Sequence, residues 1–203
     1  MKIEKIQVLN DSNVLNTNSK KVILMKVAIG NLETKPTNAI DGFLDRLKIL
    51  IPSLYTYKNT EGTQGKFFQS VDSGISITNI INSIATELQC LAGMPTELGT
   101  IEQTDTKGVY HFTFNCVDED AGMYAALASV EIVEALVNGK LYFIRHDIDR
   151  LKCLYQQNQA ALATIKVTEN VPYFKLNKQT VQWENVVKQQ HKVKFNIPLL
   201  RVV

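Results

Sequence analysis

The stretch that decides the fold is Thr78–Gly93, which reads T-N-I-I-N-S-I-A-T-E-L-Q-C-L-A-G. Its apolar residues recur at the i, i+3, i+4, i+7 spacing that places side chains on one face of a helix. With the residue before the stretch, that face comprises Ile77, Ile80, Ile81, Ile84, Ala85, Leu88 and Leu91. The pattern predicts a helix that Thr78 caps and that Gly93, followed by Met94 and Pro95, ends.

The other face of this helix is polar and is where we expect any chemistry to lie. It carries Asn79, Asn82, Ser83, Thr86 and Glu87. On such a face an H-x-x-E-H motif would supply two imidazoles for zinc and a carboxylate that activates water. Asn79, Asn82 and Ser83 stand at those three positions, and their neutral side chains are poor zinc ligands. The residues therefore predict no metal and no catalytic group here, with Glu87 as the one side chain able to ligate anything.

Several short motifs follow one another along the first two thirds of the chain. They are P-T-N-x-I-x-G-F at Pro36–Phe43, P-S-L-Y at Pro52–Tyr55, E-G-x-x-G-x-F-F at Glu61–Phe68, I-A-x-E-L-Q-x-L-A-G-M at Ile84–Met94, G-V-Y at Gly108–Tyr110 and E-x-A-G-x-Y-A-A at Glu119–Ala126. In order and spacing they resemble the N-terminal domain of the cyanophycin synthetase family, over about residues 1–140. The family polymerises aspartate and arginine, so the resemblance implies a relative of an ATP-dependent amide ligase.

The resemblance also implies a zinc hydrolase site in this domain, built on G-H-x-x-E-H, which cuts the polymer into primers. That motif falls on Thr78, Asn79, Asn82 and Ser83, so every ligand and the general base are replaced. The family's G-R-T-R falls near Gly99–Glu102, where no arginine remains. The packing residues persist while the charged residues are lost, which predicts a scaffold without the hydrolase.

Length and composition are those of an ordinary globular protein and argue against several functional classes. The chain has 203 residues, of which 45% are hydrophobic and 21% charged, and its net charge is +2. A net charge this small gives no strong positive field that would attract nucleic acid. No apolar run approaches the ~20 residues that a membrane-spanning helix needs. The opening, Met-Lys-Ile-Glu-Lys-Ile, is typical of a strand rather than a secretory signal. Three widely separated cysteines, Cys90, Cys116 and Cys153, predict reduced thiols in a cytoplasmic protein.

The remaining periodicities predict an α+β fold with a mixed or antiparallel sheet packed with helices. We expect strands over residues 2–9, 20–29, 97–103 and 109–115, the last two as a hairpin. We expect helices over residues 38–51, 118–137 and 144–168, with Asn38 capping the first. The acids Asp118, Glu119 and Asp120 suit a helix start, or alternatively a cation- or arginine-binding cluster.

A change in composition after Gly139 divides the chain into a domain over residues 1–140 and an appendage over residues 141–203. The appendage is predicted to hold a helical linker and short strands at Val171–Leu176 and Thr180–Trp183. Val171–Gln190 resembles the start of the family's ATP-grasp module, although its glycines are replaced. No room for an ATP site is expected before the chain ends, and no cofactor is predicted.

Two functional interpretations stay open from the sequence. In the preferred one, the chain is a non-catalytic scaffold or partner domain that binds a synthetase-type protein, a peptide or a second copy of itself. In the alternative, it is a peptide hydrolase or amide-ligase component with a rebuilt active site. For the first, we predict a groove at Asn79, Ser83, Glu87 and Glu102 that favours a cationic ligand. The polar face could otherwise meet water, or a partner protein. No nucleic-acid or membrane partner is expected.

Overall fold

The base of the fold is a four-stranded antiparallel sheet, seen in a computed structural model that describes residues 1–9, 21–56 and 66–169, with the backbone alone for residues 161–169. The strands lie in the order β1-β2-β4-β3, so the last two strands form a hairpin beside β2. Their bounds are β1 (Lys2–Leu9), β2 (Lys21–Ala28), β3 (Thr100–Gln103) and β4 (Val109–Cys116). The predicted α+β class is confirmed, and the sheet is antiparallel throughout its described strands.

Five α-helices within the described ranges pack with this sheet. They are α1 (Phe43–Leu50), α2 (Phe67–Ser73), α3 (Ile77–Leu91), α4 (Glu119–Val137) and α5 (Arg145–Glu169). Short 3-10 turns precede and follow α1, at Thr37–Ala39 and Pro52–Tyr55. None of the helices described is long and apolar enough to cross a membrane.

One face of the sheet forms the floor of the core. Because side chains alternate along a strand, Ile23 and Met25 of β2 point to the same face as Phe112 and Phe114 of β4, which are their register partners. All four are at most 1% exposed, and the two phenylalanine rings stack with centroids 5.9 Å apart. Helices α3 and α4 pack on this face and on each other, so α3 lies at the centre of the molecule.

The predicted central helix is confirmed, with one correction at its start. The helix begins at Ile77, and its cap is Ser76, whose hydroxyl oxygen accepts a hydrogen bond from the Thr78 amide at 3.3 Å. Thr78 is therefore inside the first turn and is not the cap. The predicted end is correct: the helix stops at Leu91, and Gly93 has a φ of 86°, a conformation that glycine adopts without strain.

The predicted helix over residues 38–51 starts too early. Its α-helical part begins at Phe43, after Gly42, which has a φ of 60°. Asn38 caps no helix here, because its side-chain amide donates to the Ser73 carbonyl at 3.1 Å. That carbonyl belongs to α2, a helix that the sequence patterns did not predict.

The second strong helix and the hairpin agree with prediction. Asp118 caps α4, since its carboxylate accepts from the Ala121 amide at 3.0 Å. The strand expected over residues 97–103 begins at Thr100. The predicted C-terminal helix is present as α5, which packs against α3 and α4. The strands predicted at Val171–Leu176 and Thr180–Trp183, with the ATP-grasp resemblance, lie outside the described residues, and the division at residue 140 stays a prediction.

Candidate functional site

The polar face of α3 is mostly buried. Asn79 is exposed, as predicted, but Asn82, Ser83, Thr86 and Glu87 retain only 3%, 6%, 3% and 8% of their exposure. The expectation that this whole face could meet water is therefore wrong. The pattern of polar residues shows which side of the helix is polar. How much of that side is covered depends on β3 and the other elements that pack against α3, which are distant in sequence.

Asn82 ties α3 to the start of β3. Its side-chain Nδ2 donates to the Gly99 carbonyl at 2.9 Å, while its Oδ1 is buried without a hydrogen-bond partner in the described part of the chain. A side chain at Gly99 would place its Cβ 1.6 Å from the Thr113 carbonyl oxygen, so only glycine lets the backbones approach this closely. The position where the resemblance places the general base therefore holds a neutral link between two elements.

Gln89 makes a second link on the same side of α3. Its Nε2 donates to the Asn115 carbonyl of β4 at 3.2 Å and to the Ala85 carbonyl at 3.3 Å. Thr96 donates to the same Asn115 carbonyl at 2.9 Å. The Gln89 Oε1 atom is buried and lacks a partner among the described groups. These contacts make the sheet-facing edge of α3 a structural seam.

Glu87 is the ionisable group on this face. Burial raises the pKa of its carboxyl group above the ordinary value of 4.5. The nearby Ser53 hydroxyl opposes this increase in pKa, although its geometry does not complete a regular hydrogen bond. Ser53 belongs to the turn after α1, so the Glu87 carboxyl group lies between α3 and that turn. Burial thus disfavours the charged form of Glu87, and a cation brought beside it would oppose that effect.

The four residues predicted to form a groove divide into two environments. Ser83 and Glu87 are neighbours one turn apart on α3, and both are buried. Asn79, which lies one turn before Ser83, is exposed. Glu102 on β3 is exposed as well, and it pairs with His111 of β4. Helix α3 packs against β3, so the four residues belong to adjacent elements.

The acidic start of α4 is occupied by protein groups. The Nδ2 atom of Asn158, on α5, donates to both carboxylate oxygens of Asp118 and to Asp120 at 2.9–3.1 Å. Lys21 pairs with Glu119 at 3.0 Å. Within the described ranges no group of three or more His, Cys, Asp or Glu side chains is placed to hold a metal ion.

A buried carboxylate at the junction of α4 and α5 was not predicted from the sequence. Asp147 is 6% exposed, and its Oδ1 accepts from the Tyr124 hydroxyl at 2.8 Å. Burial, then the hydrogen bond to Asp147, raises the pKa of Tyr124 to about 12. Burial and the Asp147 charge also raise the pKa of Tyr142. The sequence holds no local signal for this cluster, because its members come from two helices and the loop between them.

Comparison with known proteins places the sequence of this chain in a family. Residues 24–138, more than half of the chain, match the sequence model of the cyanophycin synthase-like N-terminal domain. The cyanophycin synthetase of Crocosphaera subtropica is 33% identical over 186 residues, which cover 87% of this chain and 21% of that protein. The cyanophycin synthetase of Geminocystis herdmanii is 34% identical over 142 residues, which cover 70% of this chain and 16% of that protein. The one from a Synechocystis species is 36% identical over 138 residues, which cover 68% of this chain and 16% of that protein.

The similarity reaches only one part of these larger proteins. The chain spans about a fifth of the length of the curated relatives that it matches. The predicted resemblance is confirmed by the family match and by these relatives. The chain belongs to the family of cyanophycin synthase-like N-terminal domains.

Proposed function

We propose that this chain is a non-catalytic scaffold or partner domain that binds a synthetase-type protein in the cytoplasm. One observation carries this proposal: Asn82, at the position where the resemblance places a general base, is neutral and uses its amide to hold the Gly99 carbonyl. A carboxylate that activates water must be ionisable and must reach that water. The Asn82 side chain meets neither requirement.

The residues around Asn82 support the same proposal. At the two positions of the zinc-binding imidazoles, Asn79 offers an amide and Ser83 a hydroxyl, both neutral and weakly basic. The apolar face of α3 is nevertheless intact, since Ile80, Ile84 and Leu88 are all 0% exposed. A face that retains its packing without ligands suits a domain that acts by binding.

The catalytic half of this proposal is tested by metal content and by hydrolysis. Purified protein is analysed for zinc, then incubated with an aspartate–arginine polymer with and without a chelator. The expected result is no stoichiometric zinc and no released dipeptide. About one zinc per chain with chelator-sensitive release of dipeptides would overturn it in favour of a hydrolase with a rebuilt site. Glu87→Gln is the matched variant, since Glu87 is the one side chain on this face able to ligate zinc.

The binding half is tested by calorimetric titration of the chain into the Crocosphaera subtropica cyanophycin synthetase, the relative with the longest match described above. A saturable interaction is expected, with an affinity that falls when the chain is heat-denatured beforehand. Absence of any heat of binding at micromolar concentrations would remove the partner role.

A second candidate function is capture of an arginine-containing peptide at the predicted groove of Asn79, Ser83, Glu87 and Glu102. The observation that favours it is the buried Glu87 carboxyl group, with the Ser53 hydroxyl beside it, which completes no regular hydrogen bond to the described residues. A guanidinium there would favour the ionised carboxylate and so lower the pKa of Glu87, with release of a proton.

The peptide role is tested by calorimetry in buffers of different ionisation enthalpy, which report proton release. Glu87→Gln is expected to weaken binding about tenfold, since a charge-assisted hydrogen bond contributes roughly 1.5–3 kcal/mol. Glu102→Gln separates the exposed charge from the buried one. Equal binding by wild type and Glu87→Gln, or binding by neither, excludes the groove.

A further inference from the structure

An apolar groove lies between the end of α1 and the loop that joins α4 to α5, away from the polar face of α3. Its volume is about 360 Å³, and its walls include Ile49, Leu141 and Phe143. These three side chains are 83%, 90% and 72% exposed. Single exposed apolar residues are ordinary, but a cluster of large ones around a concavity marks an interaction site.

The loop presents its apolar side chains in a fixed alternation. Tyr142 and Ile144 are partly buried and pack against the core, whereas Leu141 and Phe143, each directly before one of them in the chain, are exposed. Every second residue of this segment therefore packs against the core, and the residues that alternate with them are exposed to solvent. Neither Leu141 nor Phe143 belongs to the core that the described residues form.

Hydrogen bonds hold both ends of this loop. At the end of α4, the Lys140 amide donates to the Ala135 carbonyl at 2.9 Å across Gly139, which has a φ of 66°. At the start of α5, the Asp147 amide donates to the Ile144 carbonyl at 3.1 Å. The groove wall is therefore ordered before any partner arrives, which lowers the entropy lost on binding.

The charges at the groove are of one sign. Its lining includes Arg46, Lys140 and Arg145, and no acid is among the described residues that line it. The guanidinium of Arg46 is held in place because it donates to the Leu136 carbonyl at 2.8 and 3.1 Å. Within the described part of the chain, the ion pair of Arg145 is a long contact of 3.9 Å with the exposed Asp149.

This arrangement selects among occupants. A two-fold contact with a second copy would bring the same cations together, and like charges facing each other across an interface cost affinity. A complementary occupant carries an apolar side chain for the space between Ile49, Leu141 and Phe143, and carboxylates for Lys140 and Arg145. The curated relative from Crocosphaera subtropica is a synthetase about five times as long as the matching segment, so most of that protein lies outside the segment.

We propose that the groove is the docking surface for an acidic segment of a synthetase-type protein, an assignment that rests on the proposed function. The apolar anchor fills the groove, and carboxylates pair with Lys140 and Arg145 at its rim. Steering between opposite charges makes the association depend on ionic strength.

The test compares variants in calorimetric titrations with the Crocosphaera subtropica cyanophycin synthetase. Phe143→Asp is expected to raise Kd at least about tenfold, because it places an acid where an apolar anchor and carboxylates bind. The matched control is Leu9→Asp, the same kind of change at an exposed apolar residue of β1. Its Kd is expected to stay within about twofold of wild type.

A charge-reversed variant, Lys140→Glu with Arg145→Glu, provides an independent measurement. It is expected to weaken binding and to flatten the dependence of Kd on salt. Far-ultraviolet circular dichroism and thermal unfolding check that each variant is folded.

The outcomes separate this inference from the function on which it rests. If the wild type does not bind, the partner role fails and the groove assignment fails with it. If the wild type binds and Phe143→Asp binds equally well, only the groove assignment is overturned. If sedimentation shows self-association that Phe143→Asp abolishes, the occupant is a second copy and the proposal is wrong.

Discussion

The polar face of α3 buries polar side chains, whereas the loop between α4 and α5 exposes apolar ones. On α3, Asn82 and Gln89 are buried, and their side-chain amides donate hydrogen bonds to backbone carbonyls outside the helix. In the loop, Leu141 and Phe143 are apolar yet lie in solvent. The first region contributes to stability through polar groups, and the second leaves apolar area free for binding. Substitutions in the first should therefore change folding, and in the second association.

The largest expected effect is that of a charge placed inside α3. Ile84→Asp buries an unpaired carboxylate at a position that is 0% exposed, and we expect a loss above about 4 kcal/mol with no soluble, cooperatively unfolding protein. Ser83→Asp, at 6% exposure, should cost about 1–3 kcal/mol. A polar face open to water, the alternative kept open from the sequence, would tolerate this second change. Asn79→Asp, at an exposed site of the same helix, is the control. Denaturant unfolding that ranks Ser83→Asp with Asn79→Asp would show that the polar face is open.

The next effect concerns the seam between α3 and the sheet. Gly99→Ala would bring a Cβ into the Thr113 carbonyl, so β3 must shift away and the Asn82 hydrogen bond is strained. We expect a loss of about 3 kcal/mol or more in the free energy of unfolding. Asn82→Ala removes the hydrogen bond without the clash and should cost about 1 kcal/mol. If both variants lower the free energy of unfolding equally, the close backbone approach at Gly99 makes no contribution of its own to stability.

A smaller effect should follow pH. Because the pKa of Glu87 is raised in the folded protein, the folded state binds its proton more tightly than the unfolded state does. Stability should therefore fall as pH rises from 4.5 through the raised pKa, where the buried carboxyl must ionise. Glu87→Gln should be more stable than wild type at pH 7, with a difference that shrinks toward pH 4.5. Thermal melts across this range measure it, with Glu102→Gln as the exposed control, and a constant difference would contradict it.

The smallest effect on stability is expected in the loop. Phe143→Asp should change the free energy of unfolding by less than about 0.5 kcal/mol, since the side chain is 72% exposed. Urea unfolding of the two proteins side by side is the measurement. A loss above about 2 kcal/mol would mean that Phe143 is part of the core, and the contrast between the two regions would disappear.

Local signals account for most of what the sequence predicted correctly. The helical period of α3, the Asp118 cap of α4 and the hairpin of β3 and β4 each lie within a short window. The start of α1 was misplaced because the amide of Asn38, which resembles a cap, bonds to a carbonyl 35 residues away. The burial of Ser83 and the exposure of Phe143 could not be predicted for a related reason. Each depends on which distant elements cover the residue, and no local period records that.

The centre of the sheet joins two segments that are far apart in sequence. Ile23 of β2 pairs with Phe114 of β4, roughly 90 positions later, and α1, α2 and α3 lie between them in the chain. Closing a loop of that length costs entropy before the strand pairing returns any energy. The three intervening helices shorten the effective loop if they form first. Refolding after rapid dilution from denaturant should therefore be slow for a chain of this size, with helical signal recovered before the stacked Phe112 and Phe114 rings become protected from solvent.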